Sequence, residues 1–268
     1  MRPAFSGRGR RGAGARPVPL AGLPPDYPSP CVDDYLLFVD TETTGLPRRW
    51  DQPYASGQWP HVAQLAWQLY TAAGDFVKEE NHFLQIPVGT MPAAAVAVHG
   101  ITPAFLHQHG QAPGPVLQRL LADLARFQPR VVGYFLQLDF HVIGAALHRA
   151  GLPNPLPALP QFCTMKVSGR PDDGTHRRYR RLAELHELLL GQALPRLHDA
   201  REDAAATARC FFELQRLGRI PPAVLRGQPP LSPPTGPPPA VWPPRSLLLV
   251  GGALLLVLLF LALLWILV

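Results

Sequence analysis

The first chemical signal in the chain is the run DTETTG at residues 40–45, which directly follows the apolar residues 35–39. Alternate side chains of an extended strand face the same side, so Asp40 and Glu42 are expected to project together, about 6 to 7 Å apart. Two carboxylates in this position can share divalent cations. The structural alternative is a strand that simply ends in polar residues and a glycine turn, and the motif alone leaves both open.

Two further acids, Asp139 and Asp203, fall on the inward-facing stripes of predicted helices. Apolar or small residues follow Asp139 at i+3, i+4, i+7, i+8 and i+11, and residues of the same kind follow Asp203 between i+4 and i+14. An aspartate at a helix start is more often an N-cap, which is the alternative for Asp139. Unpaired carboxylates are costly to bury, so several of them pointing inward indicate a positive charge between them, such as a pair of metal ions.

One histidine, His198, stands just before the second of these helices. Asp199 with Glu202 three residues later resembles a capping pair, which starts the helix at Ala200 and leaves His198 outside it. We therefore assign Asp199 and Glu202 to capping and solvent contact. Seven other histidines have no supporting neighbourhood and are interpreted as ordinary surface or core residues: His61, His82, His107, His109, His148, His176 and His186.

Three motifs in this order and spacing resemble the DEDDh exonucleases, the superfamily that includes the epsilon proofreading subunit of bacterial DNA polymerase III. They are DTETTG at residues 40–45, the acid Asp139 in the middle motif, and the HxxxxD spacing from His198 to Asp203. The resemblance covers about residues 35–217. The middle motif of many members reads like HNxxFD, whereas residues 134–139 read YFLQLD, so Phe135 replaces the supporting amide. We expect this change to affect substrate contacts and rate more than the metal site.

The resemblance implies a metal-dependent phosphoryl transfer site. Two Mg²⁺ or Mn²⁺ ions would activate a water molecule and stabilise the departing 3′ oxygen, while His198 takes the proton of the attacking water. The implied metal ligands are Asp40, Glu42, Asp139 and Asp203.

The resemblance also implies where the terminal nucleoside lies. Residues 97–102 (AVHGIT) are similar to the family's substrate-contacting HGIT stretch. Leu46 is expected to pack on the last base, because exposed bases are recognised by stacking and shape. The expected substrate contacts are Thr43, Thr44, Gly45 and Leu46 on one side, and His99, Gly100 and Ile101 on the other. A basic run, Arg177, Arg178, Arg180 and Arg181, either holds the phosphate backbone or forms a solvated loop.

The remaining pattern predicts the elements that position these residues. Strands are expected at residues 35–39 and 131–134, with a strand pair at 61–70 and 75–85. Helices are expected at residues 116–127, 140–150, about 180–190 and 200–217. Strands that come first as a meander and then alternate with helices indicate an α/β sheet with helices on its faces. The resemblance implies a ribonuclease H-like exonuclease fold, with a central mixed sheet flanked by helices.

Composition divides the 268-residue chain into four parts. Its 47% hydrophobic and 16% charged residues exclude a wholly disordered chain and a coiled coil, and three cysteines are too few for a disulfide framework. The net charge of +6 is concentrated at the N-terminus and is weak evidence for nucleic acid. We predict a disordered basic arm at 1–31, an exonuclease domain at 32–218, a proline-rich linker at 219–245 and a transmembrane helix at 246–268. The linker is interpreted as a polyproline-like spacer, with a ligand for SH3-like domains as the alternative.

Residues 247–268 are uncharged and long enough, at about 1.5 Å per residue, to cross a hydrocarbon core of about 30 Å. Four arginines precede the span and favour a domain on the cytoplasmic side. No signal peptide is visible at the N-terminus. We therefore expect a single-pass protein with a C-terminal anchor in the lipid bilayer and its catalytic domain facing the cytoplasm.

The expected function is a membrane-tethered 3′–5′ exonuclease that releases nucleoside monophosphates from the 3′ ends of single-stranded or frayed DNA, with RNA as a second substrate. One alternative is a tethered nucleic-acid-binding or scaffold module without activity. The presence of all four carboxylates and His198 is an argument against it. A polymerase-associated proofreading subunit is another alternative, which a membrane anchor makes awkward. The sequence leaves the oligomeric state open.

Overall fold

The computed structural model describes residues 34–169, 178–194 and 198–235. In this part of the chain a five-stranded sheet has the order β3-β2-β1-β4-β5. The strands β1 to β3 are antiparallel, and β4 and β5 continue the sheet parallel to β1. The strands are β1 (Tyr35–Thr43), β2 (Val62–Thr71), β3 (Phe76–Phe83), β4 (Arg130–Gly133) and β5 (Gln161–Cys163).

Helices follow the meander and cover the sheet. Among the described residues they are α1 (Ala93–His99), α2 (Pro103–His109), α3 (Pro113–Phe127), α4 (Leu136–Arg149), α5 (Leu182–Leu190), α6 (Ala200–Arg216) and α7 (Pro222–Arg226). The predicted α/β architecture, a mixed central sheet flanked by helices, is thereby confirmed.

Strand β1 is the centre of both cores because its side chains alternate between the two faces of the sheet. Leu37 and Val39 pack in the core that contains buried residues of α3 and α4. Leu36 and Phe38 pack in the core formed with α5 and α6. Phe38 meets Phe211 of α6 edge-on at 5.4 Å between ring centroids. The apolar run at residues 35–39 is therefore a central strand covered on both sides, as predicted.

Helix α4 begins four residues earlier than the sequence predicts, at Leu136 instead of residue 140. The residue before it, Phe135, has no side-chain oxygen to cap the helix, so no local signal marks this start. As a consequence Asp139 lies inside the first turn and is not an N-cap. The helix start at Ala200 agrees with the prediction, and Asp199 accepts hydrogen bonds from the backbone N–H groups of Arg201 and Glu202.

The chain stays in contact with the domain beyond residue 218, where the sequence places the start of the linker. Ile220 is buried in the core with α6, and the backbone carbonyl of Leu225 accepts a hydrogen bond from Arg130. The amide of Gln228 pairs with both backbone groups of Cys163 on β5, at 2.9 and 3.0 Å. The first part of the proline-rich segment is therefore bound along the β5 edge of the sheet.

The predicted basic arm and the predicted transmembrane helix lie outside the described residues. Within those ranges, no helix has the length and apolar character that a bilayer crossing requires.

Candidate active site

The acidic motif lies within the last residues of β1. Asp40 and Glu42 face the α6 side of the sheet, whereas Thr41 faces the α4 side, because neighbouring side chains of a strand alternate. The pairing of β1 with β4 ends at Phe38 and Val132, so β4 does not cover the edge of β1 beyond Phe38. The chain after β4 turns into α4 at this point and brings Asp139 to that edge.

Asp139 belongs to α4, which lies on the opposite face of the sheet from α6. Its side chain is only 4% exposed, and its Oδ1 accepts a 2.7 Å hydrogen bond from the hydroxyl of Thr41. The bond ties the first turn of α4 to the acidic strand. Thr41 was not among the predicted site residues.

The start of α6 supplies the remaining two groups. Asp203 lies in the first turn of α6, and His198 precedes the N-cap with a left-handed backbone conformation, φ 61°. Side-chain ligand atoms of Glu42, His198 and Asp203 all lie within 4.8 Å of one another. The imidazole of His198 is exposed, so it is open to solvent beside the two carboxylates. The structure therefore brings together the predicted histidine and carboxylates.

Electrostatics in this cluster favour the protonated carboxyls when no cation is bound. Burial, followed by the charges of Asp139, Asp203 and Glu42, raises the pKa of Asp40 well above its usual range. Burial and the neighbouring acids raise the pKa of Glu42 to about 8. Burial raises the pKa of Asp139 and of Asp203 to about 7, opposed by hydrogen bonds from Thr41 and from the backbone of His198 respectively.

The donor set fits hard divalent cations. Oxygen ligands are those that Mg²⁺ and Mn²⁺ prefer, and four carboxylates converge here. One of them, Asp203 Oδ1, is buried with no hydrogen-bond partner among the described residues. A buried oxygen without a partner is costly, and a cation would satisfy it. Asp40, Glu42, Asp139 and Asp203 are therefore suited to hold metal ions.

The predicted substrate residues lie around the end of β1. The ring of His99 accepts the N–H of Ile101 at Nδ1 (3.0 Å), so Nε2 carries the proton and donates to the carbonyl of Thr43 (3.2 Å). This bond brings the HGIT segment to the acidic strand. Burial lowers the pKa of His99, opposed by its hydrogen bond to the Thr43 carbonyl, and the charge of His198 lowers it further. Leu46 is 69% exposed and so available for contact.

Thr43 and Thr44 of the motif are already engaged by the protein. The hydroxyl of Thr43 donates to the carbonyl of Gly45 at 2.7 Å. Thr44 donates its N–H to the carbonyl of His61 and accepts the N–H of His61 at its hydroxyl, at 2.9 and 3.0 Å. Gly45 has a φ of 130°, a conformation that side chains rarely adopt, which explains the glycine at this turn. The expected contacts of residues 43–46 with a nucleoside stay predictions.

A cleft of about 810 Å³ opens over the acids. Phe135 and Leu138 form part of its wall, and the residues before α5 close its far side. Arg180 lines the cleft but donates its guanidinium to the backbone carbonyls of Ser168 and Gly169, so it has a structural role. Arg177 lies outside the described residues. A second cavity, of about 530 Å³, is lined by residues between 85 and 107 and contains no carboxylate.

The comparisons agree with this architecture. Residues 37–211 match the family model RNase_T, described as exonuclease. No curated protein sequence matches the chain. A crystal structure of E. coli exonuclease I in complex with a dA16 oligonucleotide superposes with a TM-score of 0.58 at 18% identity, over 72% of this chain and 42% of that one.

Two further solved structures share the fold. The zinc-bound form of the E. coli exonuclease I complex with single-stranded DNA has a TM-score of 0.57 at 19% identity, over 69% of this chain and 41% of that one. A 3′-exonuclease that recognises a histone mRNA stem-loop has a TM-score of 0.55 at 15% identity, over 69% of this chain and 83% of that one. The chain thus spans less than half the length of these exonuclease I chains. At these identities the likeness concerns the fold.

Proposed function

The chain belongs to the RNase_T exonuclease family, and from this membership we propose that its acidic cleft removes nucleoside monophosphates from the 3′ ends of single-stranded or frayed nucleic acid. The observation that carries the proposal is that Asp40, Asp139, Asp203 and His198 line one open cleft, with the Glu42 carboxylate within 4.8 Å of ligand atoms of His198 and Asp203. DNA is the proposed main substrate and RNA the second.

Asp40, Glu42, Asp139 and Asp203 would hold two Mg²⁺ or Mn²⁺ ions. When bound, such ions supply a nucleophilic water at neutral pH and neutralise charge on the attacked phosphate and the departing 3′ oxygen. The four acids form a preformed site in which burial and mutual repulsion disfavour negative charge, and bound cations would offset both effects.

His198 is suited to act as the general base. Its imidazole is exposed to the cleft and lies within 4.8 Å of the Glu42 and Asp203 oxygens, so it can reach a water molecule beside them. The left-handed turn at His198 and the helix cap at Asp199 fix the direction from which the ring approaches.

The walls of the cleft indicate how the substrate is recognised. Phe135 and Val98 line it and are 37% and 53% exposed, and Leu46, three residues after β1, is 69% exposed. These side chains offer apolar and stacking contacts that any unpaired base can use, without hydrogen bonds that identify a sequence. We therefore propose selection for an unpaired 3′ end and not for a particular base.

The proposal is tested by incubating the full-length protein with 5′-labelled single-stranded DNA and RNA in Mg²⁺ or Mn²⁺. We expect a ladder of products shortened from the 3′ end with wild-type protein, and none with Asp203→Asn. Glu187→Gln, which removes an exposed carboxylate of α5, is the matched control and should behave like the wild type. Binding of the oligonucleotides without any shortening would instead support the inactive-module alternative.

We also propose, from sequence alone, that residues 246–268 tether this activity to a lipid bilayer with the catalytic domain on the cytoplasmic side. The uncharged character of residues 247–268 and the arginines before them support this. Membrane fractionation of the full chain and of a chain ended after residue 245 tests it. Recovery of both in the soluble fraction would contradict the tether.

A further inference from the structure

We propose that Gln64 is a positioning residue that fixes the start of α6 and thereby sets His198 and Asp203 opposite Glu42. The inference rests on the proposed function of these groups. Gln64 lies on β2 directly across from Glu42 in the antiparallel pairing and is only 1% exposed. It touches none of the reacting groups in the proposed mechanism, so it would act through α6.

The amide of Gln64 is fully used at the helix start. Its Oε1 accepts the backbone N–H of Ala200 at 3.2 Å, and its Nε2 donates to Asp199 Oδ1 at 3.2 Å and to Asn81 Oδ1 at 3.0 Å. The orientation of the amide is unambiguous, because a backbone N–H can only donate and a carboxylate can only accept. Gln64 thus binds both the N-cap residue and the first residue of α6.

These bonds complete the cap of the helix. The first N–H groups of a helix have no partner within it and must find one elsewhere. Asp199 accepts from Arg201 and Glu202, and Gln64 accepts from Ala200. The side chains of Asp199 and Gln64 therefore cap the first N–H groups of α6 together, as one unit.

The residue just outside this unit is under backbone strain. His198 has a φ of 61°, which costs free energy for a residue with a side chain and persists only where the surroundings hold it. Gln64 holds the adjacent residue, Asp199, to the sheet. Loss of that anchor would let the His198 turn relax and move the ring away from Glu42.

A second link between the sheet and the α6 start is much weaker. Arg201 forms a 2.8 Å salt bridge with Glu79 of β3, but its side chain is 50% exposed. Exposed ion pairs contribute little because water and salt screen them. The buried amide of Gln64 is therefore the stronger anchor.

The experiment compares three variants of the full-length protein. Gln64→Met keeps the size of the side chain and removes its hydrogen bonds. Gln68→Met is the matched control, since Gln68 is also a buried amide of β2 but bonds Glu79 and Tyr70 and reaches α6 only through the exposed Arg201. The double variant Gln64→Glu with Asp199→Asn restores a donor–acceptor pair with reversed polarity and leaves the net charge unchanged.

Two readouts are measured for each variant. The first is kcat and KM on single-stranded DNA, and the second is amide hydrogen exchange of residues 198–203 in the metal-free protein. We expect Gln64→Met to lower kcat by about ten- to a hundredfold with little change in KM, because the hydrogen bonds that position the start of α6 are lost. We also expect faster amide exchange at residues 198–203. The double variant should recover both, and Gln68→Met should leave both near the wild-type values.

The two ideas can fail separately. Unchanged exchange at residues 198–203 in Gln64→Met, or an equal loss of kcat in Gln68→Met, would overturn the positioning role while the exonuclease proposal stands. A wild-type protein with no hydrolysis would contradict the proposed function, whereas the exchange measurement would still decide whether Gln64 anchors the helix.

Discussion

The hydroxyl of Thr41 donates a 2.7 Å hydrogen bond to Oδ1 of Asp139, across 98 residues of sequence. It joins the acidic strand to a helix on the opposite face from α6. The four carboxylates thus come together from both sides of the sheet: two directly from β1, one from α6, and one from α4 through Thr41.

Thr41→Val should lower exonuclease activity by about tenfold or more while the fold persists. The variant keeps the shape of the side chain but removes the hydrogen bond that orients Asp139. Steady-state rates and the thermal midpoint measure the two effects. Thr71→Val removes a comparable bond to Asp75 at an exposed turn and serves as the control. Equal activities of the two variants would refute the positioning of Asp139 by Thr41.

The metal-free protein should lose stability as the pH rises from about 4 to about 8. The pKa of Glu42 is raised to about 8 and those of Asp139 and Asp203 to about 7, whereas carboxyls in unfolded chains titrate near 4. The folded form then binds more protons in this window, so the free energy of unfolding falls with increasing pH. Thermal melts in EDTA across this range measure it.

The same reasoning predicts that Glu42→Gln flattens this pH dependence and raises the metal-free melting temperature at pH 8. Glu187→Gln, at an exposed position of α5, should leave the profile unchanged. His141, whose pKa burial lowers to about 4, acts in the opposite direction, so the test is the difference between the two proteins: an equally steep loss of stability in Glu42→Gln and the wild type would contradict the raised pKa of Glu42.

His198→Asn should reduce the rate by about 10² to 10⁴, the range typical of a lost general base. Asparagine tolerates the left-handed backbone at this position, so the turn is preserved and the loss reports on the imidazole. His148→Asn, at an exposed position near the end of α4, is the control for replacement of a histidine. Wild-type rates across pH 6 to 9 would remove His198 from the mechanism.

Phe135→Asn should weaken binding of single-stranded DNA, because a stacking surface in the cleft is lost; removal of one stacking side chain costs about 1 to 3 kcal/mol. Fluorescence anisotropy with a labelled oligonucleotide in EDTA measures affinity without turnover. Phe76, exposed on β3 and outside the cleft lining, provides the control Phe76→Asn. Equal affinities in the two variants would exclude stacking on Phe135.

A chain ended after residue 218 should be less stable than one ended after residue 235. The shorter chain lacks Ile220, whose burial alone contributes about 1.5 to 3 kcal/mol, and it lacks the hydrogen bonds of Leu225 and Gln228. Urea unfolding of the two chains compares their free energies of unfolding, and Gln228→Ala in the longer chain isolates the contribution of the amide. Equal stabilities would show that the segment after residue 218 is dispensable for folding.

Short-range patterns predicted much of this fold. The apolar run in β1 and the Asp199 cap of α6 are local signals, and both agree with the structure. The start of α4 was wrong by four residues because Phe135 gives no capping signal. Strand β5, only three residues long, and the seven-residue helices α1 and α2 have too few residues for a periodic pattern to be recognised.

The residues of the candidate site were likewise predicted only in part. Asp40, Glu42, Asp139, His198 and Asp203 were selected by residue type and spacing, and the structure brings them together. Thr41 and Gln64 were missed because their partners are 98 and 136 residues away. One signal was available for Gln64: an amide inside the buried run at residues 62–69 must find hydrogen-bond partners, although the sequence does not say which.

The pairing of Gln228 with Cys163 also bears on self-association. Strand β5 is one of the two outer strands of the described sheet, and an edge with unpaired N–H and C=O groups is a template for another chain. The side-chain amide of Gln228 occupies the outward N–H and C=O of Cys163, as one residue of an additional strand would. Prolines at 229 and 230 follow it and bring no backbone N–H that could extend a ladder. The segment therefore closes the sheet against intermolecular β-pairing at this edge.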